Sequence, residues 1–477
     1  MKKKFTSISR IAALLLLVNV CLGAKEKTVS PAPTELSVLW VLPFIGILLC
    51  IAIIPLINAR YWGRNLWWIS IFIFCIPMAA IFSIFMGEEL RSLTFEKALD
   101  YASFITLLAS LYVISGGILI KGSLSGTPLV NAIFLLIGSV IANIIGTTGA
   151  SMLLVRPLIR ANKNRVKKSH IIIFFIFLVS NIGGLLTPLG DPPLFLGYLQ
   201  GVPFEWTLRL APEWAITCSI VLAVFYVMDS YLYKHEARVN TTDPGPADRI
   251  KNNSSTEVYE KFAIAGKLNL LLIAGVVMSV FMQGVLIKAI PWWPRFGPQE
   301  AGMTIFLVLS LLLSPAKGEL RRLNGFTFQP IKEVALIFAG IFAAMIPALY
   351  LLEHNGAALG VTRPWQFFWA SGVLSSFLDN APTYLAFLSL AKGLNLQNDL
   401  GFLLNDGGGL SSHVLAAISC GAVFMGANSY IGNGPNFMVK SIAEEQGINM
   451  PSFFGYMAYS TAVLIPVFLL ITFLFFV

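Results

Sequence analysis

Charge is what this chain has least of. Only 12% of its 477 residues are Asp, Glu, Lys or Arg, about half the share of a soluble domain. The charges gather between long apolar runs, and 56% of the residues are hydrophobic. That excludes a soluble globular protein and leaves an all-α polytopic membrane protein. Histidine and cysteine are almost as scarce. The four histidines form no HExxH and no GxxxxGK[ST] loop occurs, so zinc hydrolysis and nucleotide-driven transport have no residues to rest on. The five cysteines (Cys21, Cys50, Cys75, Cys218, Cys420) lie in apolar segments without metal or redox spacing. They read as small hydrophobes. No cofactor is expected. Nor does the net charge of +9 point to nucleic acid, because the basic residues are scattered through short loops. Their densest group, Arg156, Arg160, Lys163, Arg165, Lys167 and Lys168, contains no acid and reads as a cytoplasmic, positive-inside loop. The lipid bilayer is the expected partner, and a bacterial-type inner membrane the expected location.

What the chain has in excess, in the wrong place, is glycine and proline. Ser180 to Phe195 reads SNIGGLLTPLGDPPLF, with three glycines, three prolines and Asp191 inside an apolar run. Such a helix must break. A break at membrane depth leaves backbone groups unpaired, which is tolerated only against protein or a water-filled cavity. Ala427 to Phe437 repeats the design, Gly432-Asn433-Gly434-Pro435 echoing Gly190-Asp191-Pro192-Pro193. Paired breaks in corresponding places of two halves mark the binding site of a secondary transporter.

In order along the chain, residues 1–24 carry Lys2, Lys3, Lys4 and Arg10 before a short apolar stretch, the pattern of a signal peptide or signal anchor. A first repeat is expected over 25–233, with spans at about 37–58, 66–86, 99–120 and 213–233. It holds a hairpin at about 126–161, interrupted near Gly146-Thr147-Thr148, and the broken helix at about 169–205. A polar cytoplasmic linker is expected over 234–267. The second repeat, 268–477, copies the first, with a hairpin at about 366–391 and a broken helix at about 411–439. Five crossings per half is an odd number, so the second repeat must run inverted.

An ionised side chain in the membrane is costly and is kept for a use. Within the hairpins and broken helices the acids are Asp191 and Asp379, both at interruptions. Each hairpin tip should meet the broken helix of its own half, giving two half-sites. The first gathers Thr147, Thr148, Asn181, Thr187 and Asp191; the second gathers Asp379, Asn380, Thr383, Asn428, Ser429, Asn433 and Asn436. Carboxylate, hydroxyl, side-chain amide and unwound carbonyls are ligands for a hard cation, so Asp191 and Asp379 are the expected sodium ligands. A buried carboxylate can carry a proton instead. The bland reading is that each acid merely caps the helix that follows it. Arg156, in a hairpin limb, reads as snorkelling toward lipid headgroups in preference to pairing with an anionic substrate. Asp229, Glu205 and Glu353 fall near span ends, where interfacial water accounts for them.

Three motifs carry a family resemblance: NIGGLLTPLGDPP at 181–193, FLDNAP at 377–382 and NSYIGNGPNFMVKSIAEEQG at 428–447. They resemble the ion transporter superfamily, which includes NhaD-type sodium/proton antiporters, citrate transporters and arsenite permeases. The branch most similar is that of citrate transporters and sodium:proton antiporters. The resemblance implies a scaffold domain, dimerising in many members, and a transport domain that moves against it. Asp191 and Asn181 match the antiporters' broken-helix positions, and Asp379-Asn380 match their Asp-Asn hairpin tip. Gly146-Thr147-Thr148 stands where they have a second Asp-Asn. The leading expectation is sodium/proton antiport by alternating access, with sodium or a proton as coupling ion. The alternative is sodium- or proton-coupled transport of citrate or a related carboxylate. An intramembrane aspartyl protease is a remote third reading; Leu378 before Asp379 and Pro188 in place of a glycine count against it.

Overall fold

The computed structural model describes residues 36–78, 81, 88–121, 125–242, 263–290, 292–313, 319–394, 399–402, 404–405 and 409–477. The expected leader, 1–24, and most of the expected linker lie outside these residues. The described residues are predominantly helical, a form in which a backbone in lipid satisfies its own hydrogen bonds. Six described helices are long and apolar enough to cross a membrane, or seven if the bent pair Gln329–Ala344 and Ile346–Leu359 counts as one.

The first helix, α1 (Leu42–Trp67), bends at Asn58 and continues as a wide turn over Trp68–Cys75. Gly46 lies against Phe74, so the segment doubles back. α2 (Glu88–Ser115) leads into β1 (Leu119–Lys121). There follow α3 (Pro128–Ala161), α4 (Ser169–Leu178), α5 (Pro192–Leu199) and α6 (Ala211–Thr242). β2 (Ala263–Ala265) precedes α7 (Lys267–Ala289), α8 (Pro298–Leu313) and the short α9 (Glu319–Leu323). α10 (Gln329–Ala344) and α11 (Ile346–Asn355) form the bent pair. The chain closes with α12 (Pro364–Phe377), α13 (Asn380–Gly393), α14 (Ser412–Met425), α15 (Gly434–Glu445) and α16 (Phe453–Ile471). The ends of the expected linker carry regular structure. α6 runs on to Thr242, and Ala263–Ala265 pairs antiparallel with Leu119–Lys121.

By length and hydropathy α3 would be a single span, yet its two ends meet. Asn131 and Asn162 exchange amide hydrogen bonds at 3.0 and 2.8 Å, where a continuous helix would hold them about 46 Å apart. The turn is at Gly146, whose φ of 77° and ψ of 154° suit glycine alone. α12 and α13 fold back in the same way around Leu378-Asp379. The rings of Phe367 and Phe387 sit 6.4 Å apart, against about 30 Å along one straight helix.

The helices pack as two groups. α1, α2, α7, α8 and α10 lie against one another. The two hairpins, the broken helices, α6 and α16 form the other group, which meets the first along α2 with α3 and α11 with α13. Among apolar lipids helices associate through small residues and buried hydrogen bonds rather than hydrophobicity. α12 and α14 illustrate it. Gly421 lies against the Phe368 carbonyl and Gly372 against Met425, and Ser375 donates to the Ala422 carbonyl at 2.7 Å.

Candidate functional site

Both helix breaks fall where glycine and proline were counted. α4 ends at Leu178, a 3-10 turn covers Ile182–Leu186, and α5 restarts at Pro192. α14 ends at Met425, a turn covers Gly426–Asn428, and α15 restarts at Gly434-Pro435. Each break is a tight loop closed by two glycines six residues apart. A Cβ on Gly190 would lie 2.2 Å from the Gly184 carbonyl oxygen, and one on Gly432 2.6 Å from that of Gly426. Only bare backbone fits there.

The hairpin tips are tied to the breaks by side chains of matching type. Thr187 Oγ1 donates to the Asn143 carbonyl at 2.5 Å, and Asn143 Oδ1 accepts from the Leu186 amide at 2.8 Å. In the other half Ser429 Oγ donates to the Ser376 carbonyl at 2.5 Å, and Asn428 Nδ2 donates to Ser376 Oγ at 2.9 Å. The Thr147 amide adds a bond to the Gly190 carbonyl at 2.8 Å.

Asp191 is where the two halves join. Its side chain is 1% exposed and accepts from both tips. Thr147 Oγ1 donates to Oδ1 at 2.8 Å, and Asn380 Nδ2 donates to Oδ2. Asn433 Nδ2 donates to Oδ1 at 3.1 Å and to the Ser180 carbonyl at 3.0 Å. A second link crosses the halves, from Asn181 Nδ2 to Asn436 Oδ1 at 2.7 Å. Asn436 Nδ2 in turn holds the carbonyls of Gly426 and Ser429, both at 2.9 Å. The two expected half-sites are therefore one site. The tips and breaks converge, and side-chain hydrogen bonds run between halves as well as within them.

Asp379 stands next to Asn380 at the second tip. It does not bond to Asp191; its Oδ1 accepts from the Ala381 amide at 3.2 Å, capping α13. Thr383 Oγ1 turns back to the Asp379 carbonyl at 3.0 Å. Asp379 thus caps α13 directly before Asn380, whose side chain bonds Asp191. Asp191, at the corresponding start of α5, makes no side-chain cap bond.

The remaining polar capacity is oxygen. Asn181 Oδ1, Asn380 Oδ1 and Asn428 Oδ1 are buried with no hydrogen-bond partner, and a buried amide oxygen left so is costly. Beside Gly426, the point where a Cβ would sit lies 3.1 Å from Asn181 Oδ1, 3.2 Å from the Gly432 carbonyl oxygen and 3.5 Å from Ser375 Oγ. A second space, a cavity of about 20 Å³, is bounded by Thr147, Thr148, Gly190, Asp191, Leu111 and Phe195. That volume takes one water or one bare ion. An acid and neutral oxygens without donors suit a hard cation or a proton.

Two further polar clusters lie outside the helix breaks and hairpin tips. Asp229 is 0% exposed, not solvated at a span end as its position implied. It accepts from Arg165 at 2.7 Å and Asn131 at 3.0 Å and contacts His170 Nε2 at 2.8 Å. Arg165 also reaches Glu236 at 2.9 Å. This cluster ties the base of α3 to α6. The second lines a vestibule of about 1750 Å³ bounded by α2, the segment after α5, α7, α11 and α13. There the buried Lys97 pairs with Asp100 at 2.9 Å and Glu96 at 3.0 Å, and Gln200 Nε2 donates to Asp100 at 2.9 Å. Lys97 and Asp100 at i, i+3 on the first turns of a span were the signal available in the sequence. Tyr198, on the vestibule wall, lies only about 10 Å along α5 from Asp191.

These features define a multi-pass membrane protein with a buried polar site at paired helix breaks. The chain belongs to the family described as "Putative citrate transport", whose model matches residues 33–476. It is a family of transporters rather than enzymes. No curated protein matches the chain.

Proposed function

We propose that the protein is a cation-coupled secondary active transporter of citrate or a related small carboxylate, with the coupling cation, sodium or a proton, held at Asp191. The carrying observation is that one carboxylate joins both hairpin tips and both helix breaks. Charging or neutralising it alters four elements at once, which is what coupling requires of a binding group. In this reading the two halves are inverted repeats, supported by the matched ties Thr187–Asn143 and Ser429–Ser376. The hairpins are re-entrant, the site lies near the middle of an inner membrane, and access alternates between its faces.

Sodium/proton exchange is the second reading, favoured by the same buried acid. Citrate as cargo draws support from the family description. It is also supported by Asp379, which bonds the start of its own helix rather than joining the hydrogen bonds around Asp191. Proteoliposomes with imposed sodium and pH gradients decide between them. Labelled citrate accumulation driven by either gradient is expected. Sodium-dependent proton movement that is indifferent to citrate, with no citrate uptake, sinks the carboxylate reading.

A further inference from the structure

The register of the two hairpins sets Arg156 opposite Ser389. The tie residues Asn143 and Ser376 are equivalent, each bonded through its carbonyl to the hydroxyl of its break. Arg156 and Ser389 each stand thirteen residues beyond them, on the second limb of their hairpins. Ser389 lines the large vestibule, together with Leu385 and Lys392 of the same limb. If the halves are inverted, Arg156 faces the matching route on the other side of the membrane. Arg156 packs against the turn after α9, where a Cβ on Gly325 would lie 2.6 Å from Nη2 and 3.4 Å from Nε. Gly325 has a φ of 61°, so the turn is both left-handed and bare where the guanidinium sits.

The arginine is not spent on the fold. Its Nε is buried with no hydrogen-bond partner, and among the described residues no acid pairs with it. The contrast with Arg165 is direct: that side chain satisfies Asp229, Glu236 and the Gly126 carbonyl. A buried Nε–H without an acceptor is costly. It offers planar, forked donors that match a carboxylate. It lies about 14 Å along its limb from Thr147, below the site rather than in it.

We infer that Arg156 is an anion-recognition residue on the cytoplasmic route, engaging a carboxylate group of the cargo once α3 separates from the Gly325 turn. This rests on the carboxylate reading above. Arg156 takes the cargo from the site on its way in, or selects it on its way out, while the open vestibule serves the opposite face.

The test is a comparison of faces. Arg156→Gln and Arg156→Lys are purified, checked for monodispersity, and reconstituted with known orientation. Citrate concentration dependence is then measured for uptake from each face. Arg156→Gln is expected to raise the cytoplasmic-face KM at least about tenfold, roughly the worth of one charged contact, with the opposite face changed less than about twofold. Arg156→Lys, a point charge without the fork, is expected to fall between. Equal effects on both faces, or none, overturn the assignment. So does a phenotype that appears only with anionic lipids and is abolished in zwitterionic vesicles, which gives Arg156 to a lipid phosphate. Should the wild type move no citrate under any gradient, it is the cargo reading that fails. A wild type that transports citrate beside a symmetric Arg156→Gln removes only the role of Arg156.

Discussion

Asn433 donates a hydrogen bond to Asp191 across 3.1 Å, and the two residues hold the same place in their motifs, after the second loop-closing glycine and before the helix restarts. One copy of the motif keeps the acid and the other its amide isostere. The pair places a single ionisable group where the two breaks touch, held by Thr147 and Asn380 as well. Two carboxylates there would repel, and two amides could carry no charge.

Asp191→Asn should therefore remove cation-coupled transport while leaving the protein monodisperse. Asparagine preserves size but neither binds sodium as an anion nor exchanges a proton. Asp379→Asn should retain transport within about threefold, because asparagine caps a helix about as well as aspartate. Gradient-driven uptake in proteoliposomes measures both. Equal loss in the two variants would return Asp379 to the site.

Gly426→Ala should weaken activation by the coupling cation. The added methyl would sit in the niche among Asn181 Oδ1, the Gly432 carbonyl and Ser375 Oγ, oxygens that suit a hard cation. Gly434→Ala is the control, since no atom lies within 4 Å of a Cβ there. Sodium titration of transport separates them; unchanged sodium dependence in Gly426→Ala removes the niche from the coupling site.

Asp229→Asn acts on stability. It leaves the buried Arg165 with one fewer carboxylate and gives His170 a neutral amide in place of its carboxylate partner. Breaking a buried pair by removing one member costs about 3–5 kcal/mol. A clear fall in melting temperature is expected, read by intrinsic fluorescence in detergent, with apparent citrate affinity in the surviving protein near wild type. A variant as stable as the parent would mean that the cluster does not hold α3 to α6.

Sidedness is tested by chemistry from outside. Lys163 lies in the turn just beyond Ala161 at the base of α3, in the densest run of basic residues. In a chain with its cysteines replaced, Lys163→Cys should react with a membrane-impermeant thiol reagent only after the cytoplasmic face is opened. Reaction in intact cells would reverse the proposed topology.

Much of this molecule was legible in composition and pattern. Gly146, Gly184, Gly190, Gly432 and the Pro192-Pro193 pair dictated where helices stop, because a backbone in lipid can break only at residues that tolerate unpaired or left-handed geometry. The scarcity of charge made the class, and the repeated motif set the site's residue types. Tertiary structure alone decided which of those residues meet. Asp191 and Asp379 look alike along the chain, yet one is the junction of both halves and the other a helix cap. Asp229 looked solvated because it is near a span end, but the fold of α3 brings Asn131, Arg165 and His170 onto it. Local sequence specifies dihedrals and periodicity. The pairing of side chains more than two hundred residues apart, as in Asn433 with Asp191, depends on how the hairpins pack, and no local pattern encodes that.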